Sequence, residues 1–369
     1  MSSVLRLSRR SLAAAAATLC LSGSAFAQQA APAPAPTPTP TPEPSKIDVG
    51  GYVDTYYAYN SNKVDPSLRS FDVLHNTFSL SAAEVNFAKV PTAESRVGFR
   101  TDLFFGKAAD LTAAFEPESD GKEIYKHLQQ AYVSLLTGKV QWDVGKFVTP
   151  VGAEVIESQD NWNYTRSILF GYAIPFYHLG VRATAPLSDK VTVAGYVLNG
   201  WNNAAEIDGQ KTVGASLTLK PSSKVTLVVN DLVGKEAEEL DTRNVFDTTL
   251  TLALGEKLSV MGNFDYGTEG PASWWGVAAY AKLQASPSWA LVGRYEYTDD
   301  TDGGFMTIGT KAQSFTVTSD HLIAGALKAR LEYRLDKTDG DFFEKSDGSA
   351  TDQQQTFTVG LVYSFAGKI

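Results

Sequence analysis

The sequence predicts an all-β fold, a closed antiparallel transmembrane β-barrel of about 16 strands. Three observations point to it. First, the segment 327–336 alternates Leu327, Ala329, Leu331, Tyr333 and Leu335 with Lys328, Arg330, Glu332, Arg334 and Asp336. Successive side chains of a strand point to opposite faces, so one face is apolar and the other ionic. The last strand, 356–365, likewise puts Phe357, Val359, Leu361, Tyr363 and Phe365 on one side. With 96–105, 246–254, 258–266 and 289–298, these segments carry no charged residue at 30 apolar-face positions and 12 at the intervening ones. A lipid-facing Arg or Lys costs about 2–4 kcal/mol at the bilayer midplane, which accounts for the exclusion.

The second observation is the alternation of connection lengths. Short turns at 90–94, 137–139, 186–190, 221–224, 255–257 and 286–288 alternate with longer polar segments. The latter lie at 61–74, 106–125, 148–176, 199–210, 233–243, 299–310 and 337–353. Short periplasmic turns and long extracellular loops are the pattern of an outer-membrane barrel, and a soluble sandwich has no reason to sort loops by parity. The third observation is that beyond residue 27 no apolar run of about 18 residues is available for a spanning helix.

Taken in chain order, residues 1–27 read as a signal peptide. Arg6, Arg9 and Arg10 precede the apolar stretch 12–21, and Ala25-Phe26-Ala27 supplies a small-x-small cleavage site. The sole cysteine, Cys20, lies inside it, so the mature chain is expected to have no disulfide framework. Cleavage leaves 29 of the 32 basic side chains against 41 acidic ones, a net charge of −12. Such a balance lacks the basic footprint that nucleic acid requires, and no nucleic-acid partner is expected. Residues 28–46 form a Pro-rich periplasmic spacer, with seven prolines at every second position from Pro32 to Pro44. Such alternation favours an extended polyproline II tether.

The barrel domain then occupies 47–369. Tyr52, Tyr56, Tyr57 and Tyr59 open it. Together with Trp274, Trp275, Trp289, Tyr295 and Tyr297 they are expected to form girdles at the membrane interfaces, where amphipathic rings fit the headgroup level. An even strand count places both ends of the domain on the short-turn side.

Segment 148–176 is too apolar for a solvated loop, since Val155, Ile156, Trp162, Ile168, Leu169 and Phe170 need burial. Two readings stay open. The segment either folds into the lumen as a constriction, presenting Glu154, Glu157, Asp160 and Arg166, or caps the barrel mouth. The strands add Arg96, Arg100, Asp102, Lys146, Arg182 and Lys282 as candidates for the pore lining, then Arg294, Glu296, Lys328, Arg330, Glu332 and Arg334. A basic wall facing an acidic constriction would set up a transverse field that sorts ions. If the charges pair with one another instead, the loop alone determines selectivity.

The residues Gly145-Lys146-Phe147, Thr149-Pro150, Gly152, Glu154, Asn161-Trp162-Asn163, Arg166-Ser167, Pro175, His178 and Gly180 carry a family likeness. In them, and from about Ile47 to Phe365, the chain resembles the OmpL-like β-barrel porins. The resemblance implies a water-filled channel in the outer membrane of a Gram-negative bacterium, passing ions and small hydrophilic solutes passively. It implies no cofactor, and an inward-folded loop after the fifth strand as in general porins. The implied partners are outer-membrane lipid and lipopolysaccharide, the barrel-assembly machinery, and further copies of the chain in a homotrimer. Such barrels end on an aromatic residue; here Phe365 is followed by Ala366-Gly367-Lys368-Ile369, a departure from the pattern.

No catalytic residue emerges. His75, His127, His178 and His321 are isolated and lack metal-ligand spacing, so no metal is expected. No G-x-S-x-G element, P-loop or zinc-binding pair occurs. Two rival functions remain: a non-conducting barrel with adhesive or structural loops, which would be silent in conductance, and a barrel-borne hydrolase, which would lose activity on loss of one Ser or His.

Overall fold

The computed structural model describes residues 46–369 apart from 117–124, 207–208, 237–240, 303–305 and 307. The expected signal peptide and nearly all of the expected spacer lie outside the described residues. Sixteen strands close into one antiparallel barrel. In order they are β1 (Asp48–Asn60), β2 (Thr77–Lys89), β3 (Val97–Phe105), β4 (Leu128–Thr137), β5 (Val140–Val148), β6 (Tyr177–Ser188), β7 (Val191–Leu198) and β8 (Thr212–Ser222). There follow β9 (Val225–Lys235), β10 (Thr242–Ala253), β11 (Leu258–Glu269), β12 (Ala272–Ser286), β13 (Trp289–Asp299), β14 (Lys311–Ala324) and β15 (Leu327–Thr338). A small hairpin, β16 (Phe343–Glu344) with β17 (Ala350–Thr351), decorates the last long loop before β18 (Gln353–Lys368) completes the wall. A short helix, α1 (Lys107–Thr112), sits in the loop after β3.

Each barrel strand pairs with its sequence neighbour in the wall, and the ring closes between first and last. Asp48 stands opposite Lys368 and Asn60 opposite Thr356. At the seam Ile47 and Ile369 exchange two backbone hydrogen bonds of 2.9 and 3.0 Å.

The pleat sorts the side chains as the alternation requires. Phe357, Val359, Leu361 and Tyr363 are exposed on the outside, while Arg330, Glu332, Arg334 and Asp336 are buried on the inside. Two-residue turns at 138–139, 189–190, 223–224 and 325–326 mark one end of the barrel, with long loops at the other. The long-loop end has one exception. Gly270 and Pro271 alone join β11 to β12, and Gly270 supplies the positive φ of 57° that the tight turn needs.

Outward aromatics form a belt near the long loops. Tyr57 with Phe78, Phe105 with His127, Trp275 with Tyr297 and Tyr333 with Phe357 bring ring centroids within 5.3 Å. Trp289 stacks on His321 near the short turns. Three of the expected girdle residues do otherwise: Tyr52, Tyr56 and Trp274 are buried inside. Tyr52 and Tyr56 share the pleat face of buried Asp54, and Trp274 that of buried Tyr280, so alternation alone turns them inward.

Candidate functional site: the lumen and the loop that divides it

The segment after β5, residues 149–176, crosses the interior. Asn230 on β9 donates to the Pro150 carbonyl at 2.9 Å, and the Trp274 indole on β12 donates to the Ala173 carbonyl at 3.2 Å. Asn163 reaches the Thr318 hydroxyl on β14 at 2.7 Å, and the Tyr164 hydroxyl donates to Asp54 on β1 at 2.9 Å. Ser364 on β18 donates to Gln159. Contacts to walls so far apart around the ring require a chain inside it. Ile156, Ile168, Leu169 and Phe170 are thereby buried, as their composition demanded, and Trp162 is half-buried, whereas Val155, expected to be buried, stays exposed at the surface of the loop. Two wall glycines make room. A Cβ on Gly360 would lie 2.5 Å from the Tyr164 ring, and one on Gly276 would lie 2.4 Å from Leu169.

A chain threading a barrel has no strand ladder for its own peptide groups, yet buried N–H and C=O must be paired. The ionic wall supplies the partners. Arg294 donates to the Thr165 carbonyl at 2.6 Å and to the Glu154 carboxylate at 2.8 Å. Arg334 donates to the Arg166 carbonyl at 2.6 Å and Arg330 to the carbonyls of Ser158 and Asn161 at 2.5 and 2.9 Å. The acids take the N–H groups. Glu332 accepts from Tyr164 and Thr165 at 2.7 and 3.0 Å, and Glu296 accepts from Ile168 at 2.6 Å. Arg69, from the loop after β1, adds a 2.7 Å bond to Asp336. Charge-assisted bonds of this kind are about twice as strong as neutral ones. Arg294, Glu296, Arg330, Glu332 and Arg334 therefore face inward as expected, but the loop covers them: Arg294 is 1% and Arg334 0% exposed.

The loop's own candidates are also engaged. Glu154 is buried and additionally accepts from the Ser167 N–H at 2.6 Å. Glu157 accepts from Gln129, and burial pushes its carboxyl up to about 6. Arg166 turns back on the loop itself, donating to the carbonyls of Tyr164 (2.6 Å), Val155 (3.2 Å) and Ile156. Only Asp160 is exposed.

Among the remaining strand candidates, Arg100 pairs with Asp102 at 2.9 Å. Arg182 bonds Asp143 at 2.8 Å and lies over the rings of Phe147 and Tyr132 at 4.7 and 5.5 Å. Lys328 approaches the Gln159 carbonyl at 3.5 Å. Two expectations need correction. Arg96 lies just before β3 at the short-turn rim, exposed, with its Nε on the Leu136 carbonyl at 2.7 Å. Lys146 is on the outer face, in register with Ala131 and Leu179. It shares that pleat face with exposed Trp142 and Val144, and its Nζ is 2.9 Å from the Tyr125 carbonyl and 3.9 Å from the Tyr177 ring centroid.

Opposite the loop the wall is different in kind. Thr184, Thr192, Ala194, Ser216, Thr218 and Val228 point inward from β6 to β9, and with Pro150 and Arg182 they border an opening of about 230 Å³. The loop thus divides the lumen into a filled side and a crescent. Sequence reasoning missed several inward acids, among them Asp54, Glu84, Asp143 and one facing pair. Asp247 and Asp265 face each other in register on β10 and β11, both fully buried, with Asn263 bridging them at 2.8 and 3.2 Å. Their inward parity was the available signal. His178 is structural, with Nδ1 at 2.9 Å from the Gly200 carbonyl. Among the described residues, no group of three or more His, Cys, Asp or Glu is arranged to hold a metal.

Comparison with known proteins places this geometry. Residues 46–365 match the family described as beta-barrel porin-2, OmpL-like. A search of curated proteins finds no related sequence. The fold is similar to that of the outer membrane channel DcaP of Acinetobacter baumannii, with 12% identity and a TM-score of 0.61 over 88% of this chain and 98% of that one. It is also similar to OmpT of Vibrio cholerae in its trimer form (12% identity, TM-score 0.58, 87% and 100% covered). An anion-selective porin from Comamonas acidovorans gives 12% identity and a TM-score of 0.57 over 86% and 99%.

Proposed function

Because this chain belongs to the OmpL-like family of β-barrel porins, we propose that solutes cross the outer membrane through it along the crescent between residues 149–176 and the wall β6–β9. The protein is an outer-membrane channel for small solutes; the route and its selectivity are the proposal. The observation that carries it is the chemistry of the opening, where hydroxyl-bearing Thr184, Thr192, Ser216 and Thr218 line one side of a chain-divided lumen. Short hydroxyls exchange hydrogen bonds with water and with polar solutes without holding either, which suits passive diffusion of ions and small hydrophilic molecules. In this reading the size limit is set by the loop, and Arg294, Arg330 and Arg334 act by fixing it in place.

Export by residues 1–27 and a spacer at 28–46 on the periplasmic side complete the proposal, together with lipopolysaccharide at the outer surface, the assembly machinery as a transient partner, and a homotrimer. OmpT, with a similar fold, is described as a trimer. The direct test is reconstitution of the mature chain in a planar bilayer under a salt gradient. Discrete current steps are expected, and their reversal potential gives the ion preference. Persistent silence from a correctly folded barrel would overturn the channel and favour loops that serve adhesion.

A further inference from the structure

On the inward faces of β12 to β15, every charged side chain but two is ion-paired or accepts from loop N–H groups. Arg294 is held by Glu154 at 2.8 Å, Arg334 by Asp336 at 2.7 Å and Arg330 by Asp320 at 3.2 Å. Glu296 and Glu332 accept from loop N–H groups. Lys282 and Lys328 remain: among the described residues, no carboxylate oxygen lies within 4.0 Å of either ammonium. Both border one hollow of about 210 Å³ at the short-turn end, beneath the loop. Gln284 and Ser288 add uncharged polar groups to its lining. Asp320 is the one carboxylate there, and the Arg330 guanidinium occupies its Oδ2. Asp160 shares a neighbouring hollow with Lys328 without forming an ion pair.

The other contacts of the two ammoniums are long and uncharged. Lys282 Nζ lies 6.0 Å from the ring centroid of half-buried Trp162, and Lys328 Nζ is 3.5 Å from the Gln159 carbonyl. Two cations on a low-dielectric wall concentrate counter-ions locally, and the one carboxylate beside them, Asp320, is already paired with Arg330. We propose that the hollow between Lys282 and Lys328 binds a small solute bearing a carboxylate or phosphate oxyanion as it leaves the crescent on the periplasmic side. This rests on the diffusion route proposed above.

The test is single-channel recording with inorganic phosphate or benzoate added on the short-turn side. For the wild type we expect millimolar concentrations of at least one anion to interrupt the current. Block by phosphate alone identifies phosphate esters as the class, and block by benzoate alone identifies carboxylates. In a Lys282→Gln/Lys328→Gln variant the half-blocking concentration should rise at least about fivefold, the factor equivalent to about 1 kcal/mol. The anion-to-cation permeability ratio should fall with it, and Lys282→Arg/Lys328→Arg should restore both. Heat-modifiable migration in gel electrophoresis matching the wild type marks an intact barrel; if the double variant does not insert, each single Gln variant should show part of the shift. Absence of block in the wild type, or equal block in the Gln variants, overturns the site. If the wild type does not conduct, the route fails separately, and calorimetric titration of phosphate and benzoate into the micellar barrel decides the site, with absence of binding overturning it.

Discussion

The two sides of the lumen are cut from the same pleated wall and differ in what stands opposite them. On β13 and β15 the inward side chains include the long, charged Arg294, Arg330 and Arg334, and these meet the backbone of residues 149–176. On β6 to β9 they are mostly short, and they border the opening. The difference teaches that an ionic wall is not by itself a conducting wall. Arginines at Arg330 and Arg334 resemble a ladder for anions in the sequence, yet in the fold they satisfy carbonyls of a chain that has no ladder of its own. On the proposed route, selectivity then falls to the few charges left over.

The comparison breaks most sharply if an anchor is removed. Arg294→Ala leaves Glu154 buried without its cation and leaves Glu296 with Arg334 alone, and loss of one partner of a buried pair costs about 3–5 kcal/mol. Urea unfolding in micelles should show that loss, with larger and noisier current steps as the loop loosens. A smaller change of the same kind is Gly360→Ala, whose methyl would meet the Tyr164 ring at 2.5 Å. Overpacking of this sort costs about 1–3 kcal/mol and should appear as a lowered unfolding midpoint.

Glu157 sharpens the picture through pH. Its carboxyl is pushed up to about 6 in the folded chain by burial, from 4.5 when unperturbed. A raised carboxyl favours the folded state fully below the unfolded value, and that contribution is lost as pH rises through about 6. Wild-type stability should therefore fall relative to Glu157→Gln by up to about 2 kcal/mol between pH 4.5 and 7.5. The smallest effect on stability belongs to the open side. Thr218→Trp should change the unfolding free energy by about 0.5 kcal/mol or less while reducing conductance severalfold. Unaltered current in that variant would place the route elsewhere.

The barrel was legible in the sequence because lipid and water impose opposite chemistry at period two, and Leu331 beside Arg330 shows it without any structure. The loop's need for burial was legible for the same reason, from Ile168 to Phe170. Partners were not. Glu154 and Arg294 are 140 residues apart in sequence, and nothing local announces their meeting. Lys146 and Tyr56 show a different failure: aromatic or basic character suggested a membrane girdle or a lumen, although counting from Val144 or Asp54 gives the opposite side. Parity outranks residue type in a barrel, and it fails only at bulges such as the one beside Asp102, where Gln129 leaves the register and reaches Glu157.

The seam between β1 and β18 has a consequence for how the molecule comes into being. The last strand contributes 16 residues, and until they arrive both β1 and β15 present an unpaired edge. Such edges carry free N–H and C=O groups beside apolar faces, the template on which chains aggregate. Closure joins segments separated by nearly the whole described chain, so it is a late and slow event that no local folding unit can stand in for. Vulnerability is therefore concentrated in time rather than in place. The finished ring offers no edge to a neighbour, whereas the same chain lacking only its final strand offers two.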